Sequence, residues 1–116
     1  MRRGDVVLVY VPFVGAKGGK RRPAVVVQND SLNAAIRETV LVEITSNVSR
    51  AARPHHVLID VATPDGASTG LLTDSVIRCE RPHTVPQADI FQTIGALSPT
   101  LLRLLDDGLK AAFGIL

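Results

Sequence analysis

The apolar residues of this chain fall into short runs that are separated by turn-forming residues, and only the last run has helical spacing. Six of the runs have the length and composition of β-strands. They cover residues 6–11, 24–28, 39–45, 56–61, 75–80 and 91–97. A series of short strands followed by one helix predicts a mainly β protein, in which a small barrel or a strongly bent sheet is capped by the helix.

The start of the helix is marked in the sequence, because Ser98 is a good N-cap and Pro99 suits the first helical position. Its apolar stripe is predicted to comprise Leu101, Leu104, Leu105, Leu109, Ala112 and Phe113. Between the strands, residues 29–33 are expected to form a turn or a single helical turn, residues 63–70 a turn-rich connection, and residues 81–88 a bend with two prolines.

Length and composition limit the classes of protein to which the chain can belong. The 116 residues predict one domain over residues 1–116, and aromatic residues, at 3%, are too few for a base-stacking platform. The single cysteine, Cys79, cannot form an intramolecular disulfide and is expected in the core. No leader segment and no membrane-spanning apolar run is recognised, so a cytoplasmic protein without membrane contact is expected.

A basic loop leads directly into the second predicted strand. Glycines at 18 and 19 give the loop freedom, and Lys-Arg-Arg follows at residues 20–22. Pro23 fixes its own φ angle and favours an extended conformation at Arg22. The guanidinium of Arg22 is therefore held where a flexible loop meets a rigid strand, a position from which it can bind phosphate. The cations of the first 22 residues together predict a surface that attracts a polyanion.

Five segments of the chain carry a resemblance to a known family: RGDVV at 3–7, RPAVVVQND at 22–30, VEITS at 42–46, DSVIRCE at 74–80 and IGALS at 94–98. In their order and spacing they resemble the MazF/PemK family of toxin endoribonucleases, over nearly the whole chain. The resemblance implies a small SH3-like β-barrel of the CcdB/MazF/PemK type with a C-terminal helix. It also implies a homodimer, a cognate antitoxin, and cleavage of single-stranded RNA without a metal or other cofactor.

Two residues are the first candidates for catalysis. Cleavage of this kind requires attack of a ribose 2′-hydroxyl on the adjacent phosphate, and cationic groups that stabilise the growing negative charge. The resemblance implies that Arg22, in the Arg-Pro motif, is catalytic, and a guanidinium matches phosphate with two parallel hydrogen bonds. Thr45 also matches the family. It ends the third predicted strand, and its hydroxyl can hydrogen-bond a phosphate oxygen.

Arg78 and Glu80 form a second candidate pair. They lie two residues apart on a predicted strand, so both point to the same face and can act as phosphate clamp and general base. In the PemK branch an Arg and an Asp hold the matching positions. Glu80 is longer than that Asp, so its role as the base stays open, as does the alternative of a surface ion pair. The PemK branch also has a histidine in the first loop, where this chain has Ala16.

RNA contacts are predicted at polar residues near these candidates: Lys17, Lys20, Arg21, Gln28, Asn29, Ser46, His55 and His56. No metal site is expected. The chain has one cysteine, and adjacent histidines on a strand would point to opposite faces.

Two other functions are alternatives to RNA cleavage. A CcdB-type toxin that binds DNA gyrase shares the fold but lacks the pair of Arg22 and Thr45. An SH3-like adaptor needs an aromatic groove, for which this chain has too few aromatic residues.

Two further predictions concern surfaces: the loop over residues 13–20 gates the RNA groove, and Leu102, off the helical stripe, is covered by a partner in a homodimer.

Overall fold

The computed structural model describes residues 1–10 and 21–116 and contains six strands and three helices in that part of the chain. The strands are β1 Asp5–Tyr10, β2 Arg21–Val26, β3 Glu38–Thr45, β4 His56–Ile59, β5 Ser75–Pro86 and β6 Ile90–Ala96. The helices are α1 Asp30–Ala35, α2 Pro64–Ala67 and α3 Pro99–Phe113, and Gln87–Asp89 form one 3₁₀ turn. Among the described helices, none is long and apolar enough to cross a membrane.

The strands form one antiparallel sheet in the order β4-β5-β3-β2-β1-β6. The prediction of a mainly β fold with a C-terminal helix is confirmed. The sheet is open, because the ladders of the described residues join β4 only to β5 and β6 only to β1. Of the two forms that the sequence left open, a small barrel or a bent sheet, the described residues form a six-stranded sheet with two edges.

Helix α3 covers one face of the sheet and begins where the sequence predicts. The hydroxyl of Ser98 accepts a hydrogen bond from the backbone N–H of Leu101 at 3.2 Å, and Gly114, with φ at 66°, ends the helix. The buried residues between α3 and the sheet, here called the first core, are Val6, Val25, Val42, Ile44, Val57, Ile59, Ile77, Cys79, Leu97, Leu101 and Leu105.

The opposite face of the sheet has a smaller apolar cluster. This second core consists of Val7, Val9, Ala24, Val26, Leu41 and Val85. Consecutive strand residues point to opposite faces, so valines in the same strand serve both cores. This explains why the strands are almost continuously apolar in sequence.

The side of α3 that faces the sheet differs in part from the predicted stripe. Leu102, predicted to need a partner, is partly buried against the first core, whereas Leu104 and Phe113, predicted on the stripe, are 46% and 51% exposed. Gly108 is buried in this interface, and a Cβ placed there would lie 2.7 Å from Sγ of Cys79. The absence of a side chain at Gly108 lets the helix lie close to β5, which sets its rotation.

Strand β5 is longer than predicted, and the expected bend over residues 81–88 is wrong. Pro82 and Pro86 are paired with Val42 and Glu38 of β3. Among residues 1–10 and 21–116, β4 pairs with β5 only as far as Arg78 and no other strand adjoins the later part of β5 on that edge, so proline is tolerated there. The register jumps from Val42 paired with Pro82 to Glu43 paired with Arg78, which leaves residues 79–81 in a bulge.

Candidate active site

A row of residues crosses the sheet on the same face as the second core. The ladders place Ala24 of β2 opposite Glu43 of β3, Glu43 opposite Arg78 of β5, and Arg78 opposite His56 of β4. Residues directly opposite each other in antiparallel strands have side chains on the same face. The sheet therefore brings together charged groups that are far apart in sequence.

Next to this row lies an open pocket of about 290 Å³. Its lining is polar and comprises Thr45, Asn47, Ser49, Arg50, Arg53, His56, Arg78 and Glu80. Three arginines face one carboxylate, which makes the pocket suited to an anion. The pocket is built by the end of β3, the following loop, the start of β4 and the bulge of β5.

Glu80 is the centre of the contacts inside the pocket. Arg78 donates from Nη2 to Oε2 of Glu80 at 3.2 Å, and Nε2 of His56 lies 3.3 Å from Oε1. Partial burial raises the pKa of Glu80, but its backbone hydrogen bond, His56 and Arg78 together outweigh that effect and hold the pKa below 4.5. Glu80 is therefore ionised at neutral pH and is a weak base.

The hydroxyl of Thr45 is oriented by the chain that follows it. Its Oγ1 accepts a hydrogen bond from the backbone N–H of Asn47 at 3.1 Å. The hydroxyl proton is then directed elsewhere and can be donated to a ligand, because the oxygen already serves as acceptor. Thr45 lines the pocket, as Arg78 and Glu80 do.

Arg22 lies at the exposed start of β2, opposite Val9 of β1, and does not line the 290 Å³ pocket. The β2–β3 ladder ends with Ala24 paired with Glu43. Continuing that register by two residues brings Arg22 level with Thr45 on the same face. No described residue forms a hydrogen bond or ion pair with the Arg22 guanidinium, so in residues 1–10 and 21–116 it has no competing acceptor.

The remaining predicted RNA contacts are placed in different environments. The guanidinium of Arg21 lies 3.4 Å from the ring centroid of Phe91, and Ser46 is exposed next to the pocket. Asn29 is exposed and caps α1, with Oδ1 accepting from Ser31 N–H at 2.8 Å. Lys17, Lys20 and the loop over residues 13–20 lie outside the described residues.

Gln28 does not have the exposed side chain that contact with RNA requires. It is 8% exposed, and its Nε2 donates to Oδ1 of Asn33 at 2.8 Å and to the carbonyl of Glu38 at 2.9 Å. The polar residue at this strand exit is used to join α1 to β3. A polar residue directly after a strand can be either buried and hydrogen-bonded or exposed, and the position of Gln28 in the sequence does not distinguish the two.

The expectation that His55 and His56 point to opposite faces is wrong. Their rings lie edge to face with centroids 4.4 Å apart, and both Nε2 atoms approach Glu80, at 3.9 Å for His55 and 3.3 Å for His56. His55 precedes β4 in a turn, so strand alternation does not apply to it. These three residues can offer two imidazole nitrogens and a carboxylate oxygen to a cation.

Several polar residues of the site were not predicted. Arg50 and Arg53 line the pocket, and His83 contacts Oε2 of Glu43 through Nε2 at 2.8 Å, beside the row on the sheet. The signal for the two arginines was present, because the loop over residues 46–54 is polar and basic. Glu43 and His83 are 40 residues apart, and only the β3–β5 pairing brings them together.

Comparison with known proteins agrees with this fold. The family model of the PemK-like, MazF-like toxins of type II toxin–antitoxin systems matches residues 2–113. The chain therefore belongs to this family of toxins.

Two curated relatives and one solved structure illustrate the match. Endoribonuclease MazF6 of Mycobacterium tuberculosis is 34% identical over 100 residues, which are 85% of this chain and 83% of that protein. Endoribonuclease MazF9 of the same species is 33% identical over 116 residues, 95% of this chain and 93% of the relative. A mycobacterial endoribonuclease solved in complex with its cognate antitoxin has a TM-score of 0.79 at 19% identity, over 100% of this chain and 97% of that one.

Proposed function

We propose that this protein is an endoribonuclease toxin that cleaves single-stranded RNA in the cytoplasm and is inhibited by a cognate antitoxin. The observation that carries the proposal is the arginine-rich pocket, which Thr45 lines and which opens on the same sheet face as Arg22. The family membership and the endoribonuclease names of the relatives support it. They do not favour the gyrase-binding alternative.

The chemistry that fits these groups needs no metal. The ribose 2′-hydroxyl loses its proton and its oxygen attacks the neighbouring phosphate, the bond from phosphorus to the 5′-oxygen breaks, and the departing 5′-oxygen takes up a proton. The products are a 2′,3′-cyclic phosphate and a 5′-hydroxyl end. Arg22 and Arg78 stabilise the negative charge on the phosphoryl oxygens, and Arg50 and Arg53 hold the adjacent backbone. The Thr45 hydroxyl donates a hydrogen bond to a phosphate oxygen. Catalysis then rests on positioning and electrostatic stabilisation.

Glu80 is assigned a positioning role in this proposal. A general base that works near neutral pH is most effective with a pKa close to that pH, and the pKa of Glu80 is held below 4.5. Its carboxylate instead orients two neighbours through Oε2, which accepts from Nη2 of Arg78 at 3.2 Å and lies 3.4 Å from Nε2 of His56. Loss of its charge would release Arg78 without removing a proton acceptor from the reaction.

Two partners are proposed for exposed surfaces of the protein: an antitoxin at the arginine pocket and a second copy of the chain at α3. An acidic segment of the antitoxin would compete with RNA for the arginine pocket, because both are polyanionic. A homodimer would cover apolar side chains that remain exposed on α3, of which Leu104 and Phe113 are the largest. Sedimentation at micromolar protein tests the dimer, and a monomer would contradict it.

The decisive experiment is cleavage of a single-stranded RNA by the purified protein in excess EDTA. The expected result is cleavage with 5′-hydroxyl ends, which a polynucleotide kinase labels directly, and cyclic phosphate at the other end. The matched control is the same oligonucleotide with a 2′-deoxyribose at the cleaved position, which must resist. Cleavage of that control, or activity that appears only when a metal is added back, would contradict the mechanism.

A further inference from the structure

The cluster of His55, His56 and Glu80 has the donor atoms of an open zinc site. Their ligand atoms all lie within 4.8 Å of one another. Two imidazole nitrogens with one glutamate oxygen form a donor set that zinc uses where a fourth position is left to water or another ligand. The cluster lies at the pocket wall, since His56 and Glu80 both line the pocket.

The separation of one donor pair already fits a tetrahedral ion. Bonds of about 2.0–2.1 Å in tetrahedral geometry separate the ligand atoms by roughly 3.3 Å. Nε2 of His56 and Oε1 of Glu80 are 3.3 Å apart, and Nε2 of His55 is 3.9 Å from Oε2 of the same carboxylate. The third donor, Nε2 of His55, lies within 4.8 Å of the other two ligand atoms, and its side chain, which is 26% exposed, would have to move closer when an ion binds.

The groups around the cluster orient its donors in the way that metal sites require. Nδ1 of His56 is 2.8 Å from the carbonyl of Arg50. A carbonyl can only accept, so Nδ1 donates to it, and the second nitrogen, Nε2, faces the Glu80 carboxylate, 3.4 Å from Oε2. A metal bound to Nε2 would replace any proton that this nitrogen shares with the carboxylate. Ligating histidines usually donate their second N–H to a carbonyl or carboxylate, and ligating carboxylates are themselves hydrogen-bonded. Arg78 supplies that second contact to Oε2 of Glu80 at 3.2 Å.

One atom of the cluster lacks a hydrogen bond. Oε1 of Glu80 is buried and has no hydrogen-bond partner among the described residues, although it lies 3.3 Å from Nε2 of His56. A buried carboxylate oxygen without a hydrogen bond is costly. A bound cation at this point would satisfy Oε1 and leave Oε2 with Arg78.

We propose that His55, His56 and Glu80 bind one Zn²⁺ ion, and that the bound ion inhibits RNA cleavage reversibly. This inference goes beyond the proposed metal-independent reaction, since the ion acts as an inhibitor and not as a cofactor. Zinc would hold His56 and Glu80 in place and direct its fourth position into the pocket, where an RNA phosphate would otherwise bind to the arginines. The cationic side chains of Arg50, Arg53 and Arg78 make the site weaker than four-ligand structural zinc sites.

Binding is tested without RNA, by calorimetric titration of the full chain with Zn²⁺ and by Co²⁺ titration followed through visible absorption. The expected result is one site per chain and the strong d–d bands of a tetrahedral cobalt ion. His55→Ala and His56→Ala should each lower the affinity at least about tenfold. The matched control is His83→Ala, which removes a histidine on the same sheet face that contacts Glu43 instead. Circular dichroism checks that every variant folds.

Three outcomes would overturn the site: no saturable binding, unchanged affinity in both His55→Ala and His56→Ala, or an equal loss of affinity in His83→Ala.

The inhibitory effect is measured separately, as the ratio of each variant's cleavage rate in Zn²⁺ to its own rate in EDTA. Equal rates in the wild-type protein would overturn the inhibition. Because binding is measured on protein alone and cleavage in EDTA tests the reaction, failure of the zinc site and failure of the ribonuclease proposal are distinguishable.

Discussion

The two faces of the same sheet contrast sharply. The face toward α3 is closed and apolar, and its largest side chains, such as Ile59, Ile77 and Leu105, are completely buried. The other face has a small apolar cluster beside a row of charged residues and an open polar pocket. Adjacent residues of one strand point to opposite faces, so one strand can supply core residues to the face under α3 and polar residues to the pocket on the other face.

The bulge of β5 shows this separation within three residues. Arg78 and Glu80 lie at the pocket, whereas Cys79 between them is buried in the first core. Burial, together with the negative charge of Glu80, raises the pKa of the Cys79 thiol to about 11. The thiol is therefore protonated at neutral pH and acts as a small apolar side chain.

The largest expected effect is on the pocket face, in the variant Arg22→Lys. Lysine keeps the charge but loses the paired hydrogen bonds to phosphate, so the cleavage rate should fall by roughly 10²–10³-fold. Arg21→Lys is the matched control, since its guanidinium lies over Phe91, and it should change the rate far less. Rates on one RNA, with folding checked by circular dichroism, make the comparison. An equal loss of cleavage rate in the two variants would contradict the assignment of a catalytic role to Arg22 and not to Arg21.

Thr45→Val should lower the cleavage rate by roughly 10²-fold, because it keeps the shape of the side chain and removes a donor to phosphate. Thr45→Ser keeps the hydroxyl and should retain most of the activity. The same RNA and single-turnover rates serve for both variants. Full activity in Thr45→Val would show that the hydroxyl does not act in the reaction.

On the closed face, Gly108→Ala should destabilise the protein by about 1–3 kcal/mol. The added Cβ would lie 2.7 Å from Sγ of Cys79 in a packed interface, which outweighs the better helix propensity of alanine. Denaturant unfolding measures the loss. The second variant, Gly108→Ala with Cys79→Ala, removes the contacting sulfur and should be less destabilised than the sum of the single changes. Additive losses would mean that another contact is responsible.

Glu80→Gln should reduce cleavage by less than about tenfold, because the side chain keeps its length and its role is to position Arg78. A general base at this position would instead make the variant as inactive as Arg22→Lys. Both variants are compared on the same RNA at the same pH. A loss of that larger size would assign proton removal to Glu80.

The smallest effect is on the pH dependence of stability. The pKa of Glu80 is lower in the folded protein than the usual 4.5. Its ionised form therefore contributes stability above pH 4.5, and this contribution is lost as the pH falls through the lower folded value. The melting temperature of Glu80→Gln should be lower than that of the wild type by a few degrees at most at pH 7, and the difference should vanish in acid.

The control for this measurement is Glu38→Gln, which neutralises an exposed carboxylate at the start of β3. It should leave the melting temperature unchanged at both pH values. A difference between wild type and Glu80→Gln that grows on acidification would reverse the sign of the proposed linkage.

Local signals in the sequence were sufficient for much of this protein. Ser98 and Pro99 start α3 as predicted, and the predicted run over residues 39–45 differs from β3 by one residue. Arg22 and Thr45 were found as candidates because a resemblance carried by short segments marks them. Their roles stay predictions until the variants are measured.

The errors have long-range causes. The extent of β5 depends on pairing with β3, and the rotation of α3 depends on the close approach of Gly108 to Cys79. Gln28 reads as an exposed polar residue at a strand exit, but hydrogen bonds to Asn33 and Glu38 bury it. None of these contacts is visible in the spacing of nearby residues.

The sequence by itself determined the strands, the final helix and the family, because alternation, capping and short motifs are properties of neighbouring residues. Only the tertiary structure decided which charged side chains meet. The β3–β5 register and its bulge bring Arg78 and Glu80 beside Thr45, and the turn before β4 places His55 and His56 against the same carboxylate. Contacts between these distant residues depend on which strands pair and in which register. The register is selected by the burial of apolar residues on both faces of the sheet, and no single residue determines it.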